Sequence, residues 1–147
     1  MYDIDPAVSR KFVPGRGTAQ DVRRLVGLSA LFPDFLVDDH IFAPEGYSYN
    51  GIKGPDYVTL HVTPQRIGSY VSFETNVRLG IAAQRRVVSR LLSCFQPARC
   101  DLMLFGAPLD VASAPAGFRT TRTTDQVLGC GYSIAYAHVE RLPTGSR

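Results

Sequence analysis

The sequence is short of the features that mark secreted, membrane-spanning and metal-binding chains. It has three cysteines, Cys94, Cys100 and Cys130, an odd number with no Cys-x-x-Cys pair, so no disulfide framework is expected. A reducing cytoplasm is the expected compartment, with the three thiols serving as small core hydrophobes. No run of about 18 apolar residues occurs, and the opening Met1-Tyr2-Asp3-Ile4-Asp5-Pro6 has no continuous apolar segment, which argues against both membrane insertion and a secretory leader. Charge of one sign is scarce as well. Lysine plus arginine number 16 against 13 acidic residues, a net charge of +3, too small to point to nucleic acid. His40 and His138 stand at no metal-ligand spacing with the distant cysteines, and no metal is expected. Gly15-Arg16-Gly17 and Gly129-Cys130-Gly131 lack the strand–loop–helix setting of a phosphate cradle.

What is present is an ordinary globular composition, 45% hydrophobic and 20% charged over 147 residues, sufficient for one domain over 1–147 with a real core. Pro6, Pro14, Gly15 and Gly17 predict an extended or partly ordered lead-in over residues 1–17 and no independent element, with structure beginning after it. Thr18 and Asp21 form an N-cap signature, Val22, Leu25 and Val26 have helical spacing, and Gly27 is placed to end a short helix. A longer helix is predicted within Ile81–Phe95, where Val88, Leu91, Leu92 and Phe95 share a face and Pro97 follows. The pairs Arg23-Arg24 and Arg85-Arg86 are expected on solvated helix faces.

Two neighbouring runs alternate with period two. In Asp56–Thr63, Val58, Leu60 and Val62 point one way, and Tyr57, Thr59, His61 and Thr63 the other. In 69–75, Val71 and Phe73 oppose Tyr70, Ser72 and Glu74. These runs predict an antiparallel hairpin with one apolar and one semi-polar face. Further strands are expected at 101–105, 118–124 and 132–139, separated by the Pro- and Ala-containing stretch 107–117. The predicted class is α+β, a largely antiparallel sheet with helices packed on one face. The other face then requires water or a partner.

The densest cluster of unusual residues is Phe42-Ala43-Pro44-Glu45-Gly46-Tyr47-Ser48-Tyr49-Asn50-Gly51, followed by His61-Val62-Thr63-Pro64 and Ser69-Tyr70-Val71-Ser72-Phe73-Glu74-Thr75-Asn76. In this order and near this spacing, the motifs resemble the C-terminal half of the eukaryotic-type S-adenosylmethionine decarboxylases, pyruvoyl enzymes of spermidine and spermine biosynthesis. The resemblance runs from Asp5-Pro6-Ala7-Val8 into the Gly117-Phe118-Arg119 region and covers nearly the whole chain, whereas the family protein is about twice as long. It implies one half of an αββα sandwich. It also implies a pyruvoyl group, made in the family by self-cleavage at a first-half serine, whose carbonyl takes up the substrate amine and draws electrons as carbon dioxide leaves. No Glu-Ser-Ser segment occurs in this chain, so the pyruvoyl group is expected from a partner half.

The resemblance also implies site residues. Ser48 and His61 match the serine and histidine that assist processing, Phe42 an aromatic that stacks on the substrate adenine, and Glu74 an acid of the charged cluster that binds putrescine in some members. Two positions depart from the pattern. Gln65 stands where the family has a glutamate that accepts from the ribose hydroxyls, which turns a charge-assisted contact neutral, and Glu45 replaces a cysteine beside the substrate.

Without the motif, His61 reads as a half-buried sheet histidine, Phe42 as a core aromatic, Glu74 as a solvated edge carboxylate, and Ser48 as a turn residue beside Asn50-Gly51. The expected partners are S-adenosylmethionine, putrescine, and a second αβ half or another copy of the chain on the polar sheet face. Besides the decarboxylase half, a non-catalytic regulatory subunit and a truncated fragment remain open readings.

Overall fold

The computed structural model describes residues 1–65, 67–106 and 114–143. The chain runs α1 (Pro6–Ser9), a 3-10 turn (Arg10–Phe12), α2 (Ala19–Val26), α3 (Leu28–Leu31), β1 (Leu36–Ile41), β2 (Tyr47–Lys53), β3 (Asp56–Thr63), β4 (Tyr70–Thr75), α4 (Ile81–Phe95), β5 (Arg99–Phe105), β6 (Phe118–Val127) and β7 (Ser133–Arg141). The strands form two antiparallel blocks, ordered β1-β2-β3-β4 and β5-β7-β6. Tyr2 bridges Tyr70 on one side and Arg99 on the other, so the N-terminal segment joins the two blocks edge to edge.

Local chemistry explains the predicted helices. Thr18 Oγ1 accepts from the Asp21 N–H, and Asp21 Oδ2 accepts from the Thr18 N–H, a complete capping box that satisfies two otherwise orphaned donors. Gly27 ends α2 in the left-handed region at φ +74°, the conformation in which glycine carries the least penalty. The Arg90 guanidinium of α4 donates to the Leu25 and Val26 carbonyls, so acceptors left open at the end of α2 are met from the neighbouring helix. Helix α4 spans Ile81–Phe95 and ends with Gln96 in the left-handed region before Pro97.

The helices cover one face of the sheet. Val87, Leu91, Leu92 and Phe95 of α4 pack with Val22, Val26 and Leu28 over Tyr47, Tyr49, Val58, Leu60, Val62 and Val71. Phe12 is fully buried and stacks on Phe95 at 5.7 Å. The α+β class with helices on one face is therefore the observed one.

Four expectations change. Structure begins within residues 1–17 and not after them, because α1 and the 3-10 turn lie there and Met1, Ile4 and Phe12 belong to the core; their apolar side chains outweigh the turn signals of the surrounding prolines and glycines, and truncating a buried phenylalanine such as Phe12 costs about 3–5 kcal/mol. Ser48, Asn50 and Gly51 lie within β2, and the turn falls at Gly54-Pro55. Arg23 is no solvated surface charge, since it ion-pairs with Asp39, and Arg90 is likewise tied to α2. Of the cysteines, Cys100 is buried and Cys94 half-buried, but Cys130 is exposed. The part of the 107–117 stretch up to 113 lies outside the described residues.

Candidate functional site

The open face of the first block carries its polar residues in cross-strand rows. The register pairs His40 with Ser48, Ser48 with His61, and His61 with Ser72, so one row crosses all four strands. The next row is Asp38, Asn50, Thr59 and Glu74. Directly opposed side chains on one face of an antiparallel sheet lie about 5 Å apart at Cβ, and the pleat therefore brings together side chains far apart in sequence.

Within the first row, Ser48 Oγ lies 3.0 Å from His61 Nδ1. Asn50 Nδ2 donates to the same Ser48 oxygen at 3.2 Å. The serine oxygen has a second lone pair and its own proton, so it meets His61 Nδ1 as donor when the imidazole is protonated at Nε2 and as acceptor when it is protonated at Nδ1. Ser48 is buried and His61 exposed, so the pair sits at the floor of the open face with the imidazole toward solvent.

The remaining sequence-predicted residues surround this pair. Phe42 follows β1, and its N–H donates to the Gly46 carbonyl at 2.9 Å, extending the β1–β2 ladder by one step. A Cβ at Gly46 would lie 3.4 Å from the Val62 carbonyl and 3.7 Å from Phe42 Cβ, which places Phe42 beside the end of β3. The residue is 47% exposed, so it is no core aromatic. Glu45 is half-buried in the same hairpin, and Gln65 is exposed just after β3. Glu74 is exposed in the second row, opposite Thr59. The structure thus gathers Phe42, Ser48 and His61 at one end of the block, with Gln65 beyond that end and Glu74 one row inward.

Three groupings were not legible from the sequence. His40 lies beside Ser48 in the first row and packs edge-to-face on Phe42, with ring centroids 4.8 Å apart. Beneath the sheet, Arg23 Nε donates to Asp39 Oδ2 at 2.9 Å, its Nη2 donates to Asp39 Oδ1, and the Tyr47 hydroxyl donates to Asp39 at 2.8 Å. The Arg23 hydrogen bonds hold the Asp39 carboxyl below its usual pKa against the opposing effect of burial, while burial and then Asp39 raise that of Tyr47. In the second block, Asp101 accepts from Tyr136 at 2.8 Å and pairs with His138 Nδ1 at 2.6 Å, in a shallow depression also lined by Thr121, Arg122 and Glu140. Partial burial opposes ionisation of Asp101, but the donors His138 and Tyr136 outweigh it and keep its pKa low. The Arg23–Asp39 and Asp101–His138 contacts carried no signal in the sequence because long-range helix and strand packing closes them, whereas His40 and Phe42, two residues apart, meet through the two-residue alternation of an extended segment that the sequence did not mark as a strand. Among the described residues, no three His, Cys, Asp or Glu side chains converge as a metal would require, and no helix is long and apolar enough to cross a membrane.

The chain is similar to known proteins over most of its length. A family model described as adenosylmethionine decarboxylase matches residues 1–146. The S-adenosylmethionine decarboxylase proenzymes of Dictyostelium discoideum and Xenopus laevis are 38% and 39% identical over 112 and 107 residues, covering 74% and 71% of this chain but 29% and 31% of their own length. The Drosophila melanogaster proenzyme is 35% identical over 115 residues, 76% of this chain and 32% of its own. The chain thus spans about a third of the length of these relatives. The crystal structure of the Trypanosoma brucei AdoMetDC-delta26 monomer superposes with a TM-score of 0.78 at 23% identity, over 97% of this chain and 63% of that one, so the two share a fold. The motif-bearing hairpins, the antiparallel sheet and the family match lead to one assignment: the chain belongs to the adenosylmethionine decarboxylase family.

Proposed function

We propose that this chain supplies one αβ layer of a pyruvoyl-dependent S-adenosylmethionine decarboxylase acting in polyamine biosynthesis, and that its open sheet face meets a second layer carrying the pyruvoyl group. The observation that carries the reading is the 3.0 Å contact between Ser48 Oγ and His61 Nδ1 on that face. The donor set fits the group: a hydroxyl and an imidazole within proton-transfer reach, with Asn50 orienting the hydroxyl, suit the assistance of backbone rearrangement at a serine of the partner layer. When present, the pyruvoyl carbonyl supplies the electron sink for decarboxylation. This chain's own residues do the rest. His61 takes and returns a proton at Nδ1, Phe42 offers an exposed flat ring to the adenine, Gln65 and Glu45 border the nucleoside, and Glu74 contributes negative charge for a diamine such as putrescine. The three free cysteines suit a cytoplasmic setting.

A second reading, a regulatory subunit without chemistry of its own, is favoured by Gln65, which offers the ribose a neutral amide in place of a carboxylate. Co-expression with a partner polypeptide bearing a cleavable serine separates the readings. A catalytic layer yields carbon dioxide release from carboxyl-labelled S-adenosylmethionine that His61→Ala abolishes. Release unaffected by His61→Ala supports the regulatory subunit, and no release from any such pairing sinks the decarboxylase reading.

A further inference from the structure

We propose that His40 is a positioning residue for Phe42, holding its ring in the plane in which it would stack on the purine of the proposed nucleoside ligand. The inference rests on the decarboxylase reading in taking the nucleoside as ligand and Phe42 as its stacking ring, but it is carried by His40, which that reading does not use. His40 is on the open face of edge strand β1 and pairs with Ser48 across the ladder. Ser48 therefore has an imidazole on each neighbouring strand: His61, whose Nδ1 lies 3.0 Å from its hydroxyl, and His40, turned instead toward Phe42. The His40 and Phe42 rings stand 4.8 Å apart at 69°, the edge-to-face geometry that aromatic quadrupoles favour.

The backbone of Phe42 is fixed by its hydrogen bond to the Gly46 carbonyl, yet the residue is 47% exposed. A half-exposed phenyl ring is free to change rotamer, and each rotamer aims its face in a different direction. Contact with His40 selects one plane. A ring held in one plane binds a flat ligand without first losing rotamer freedom, so the contact strengthens binding by preorganisation.

The test uses the full chain with 5′-deoxy-5′-methylthioadenosine as probe, its affinity read by titration calorimetry and its contacts with the Phe42 ring by nuclear Overhauser effects. The wild type binds, and Phe42→Ala abolishes binding. His40→Ala weakens it by about three- to tenfold, the worth of one aromatic pair, while His40→Phe, which keeps the edge contact, restores it. Such rescue is not expected if His40 merely supports the strand. His40→Ala binding as tightly as wild type while Phe42→Ala fails would overturn the role of His40 and leave the nucleoside reading standing. No binding by the wild type, or binding indifferent to Phe42→Ala, removes both.

Discussion

Ser48 Oγ and His61 Nδ1 meet at 3.0 Å because the two residues are direct cross-strand partners of β2 and β3 on the solvent-facing side of the sheet. Neither side chain depends on a flexible loop for its place. In the co-expressed complex, Ser48→Ala and His61→Ala are each expected to slow serine cleavage in the partner layer by about 100-fold or more, the usual worth of a positioned acid–base group. Because the two act as one unit, the double variant loses little beyond either single. The cleavage rate followed by mass spectrometry checks this, and additive losses would show that the two act separately.

Gln65 offers a testable change of charge. Gln65→Glu restores an ionised acceptor, and charged hydrogen bonds exceed neutral ones by about 1 kcal/mol. Adenine nucleosides that keep the ribose diol are expected to bind about fivefold more tightly, whereas 2′-deoxy analogues gain nothing. Equal gains for both would place Gln65 away from the ribose.

The Asp39 carboxyl under β1 is 4% exposed and paired to Arg23, whose side chain is 35% exposed. Asp39→Ala leaves a partly buried guanidinium without its partner, at an expected cost of about 2–4 kcal/mol near neutral pH. The carboxyl is held below its usual pKa, so the stabilisation is fully present above the unfolded value of about 3.9 and is lost as the pH falls through the lower folded value. Urea denaturation of wild type and variant between pH 7 and pH 2 should therefore converge only in strong acid. A difference that already vanishes near pH 5 would contradict the pairing.

Gly27→Ala combines two penalties. The residue has φ +74°, and an added Cβ would stand 2.7 Å from Arg90 Nη2 and 2.8 Å from Nε, displacing the guanidinium that caps α2. The expected loss is about 1–3 kcal/mol, which for a domain of this size lowers Tm by several degrees. An unchanged Tm would mean that Arg90 yields without cost.

The Tyr49 hydroxyl is buried and has no hydrogen-bond partner among the described residues. An unsatisfied buried hydroxyl costs about 1–3 kcal/mol, so Tyr49→Phe should leave stability unchanged or raise it. A clear fall in the urea midpoint would show that the hydroxyl has a partner, such as an internal water.

The sequence made parts of this fold legible where the determining chemistry is local. The Thr18–Asp21 capping box and Gly27 bound α2, the 3.6-residue spacing within Ile81–Phe95 marks α4, and strict alternation in Asp56–Thr63 assigns His61 to the open face before any neighbour is known. β2 was hidden because Ser48, Asn50 and Gly51 have turn propensity, while buried Tyr47 and Tyr49 and two flanking strands hold the segment extended; such tertiary pairing routinely overrides strand propensity.

The sequence by itself determined the family through its ordered motifs, the faces of its clearest strand pair and the ends of its helices, since each depends on residues within a few positions of one another. Only the tertiary structure decided that His40 lies opposite Ser48, that Arg23 reaches Asp39 beneath the sheet and that Asp101 holds His138. Register and packing set those contacts, and a one-residue shift of strand register would send strand residues such as His40, Asp39, Asp101 and His138 to the opposite face of the sheet.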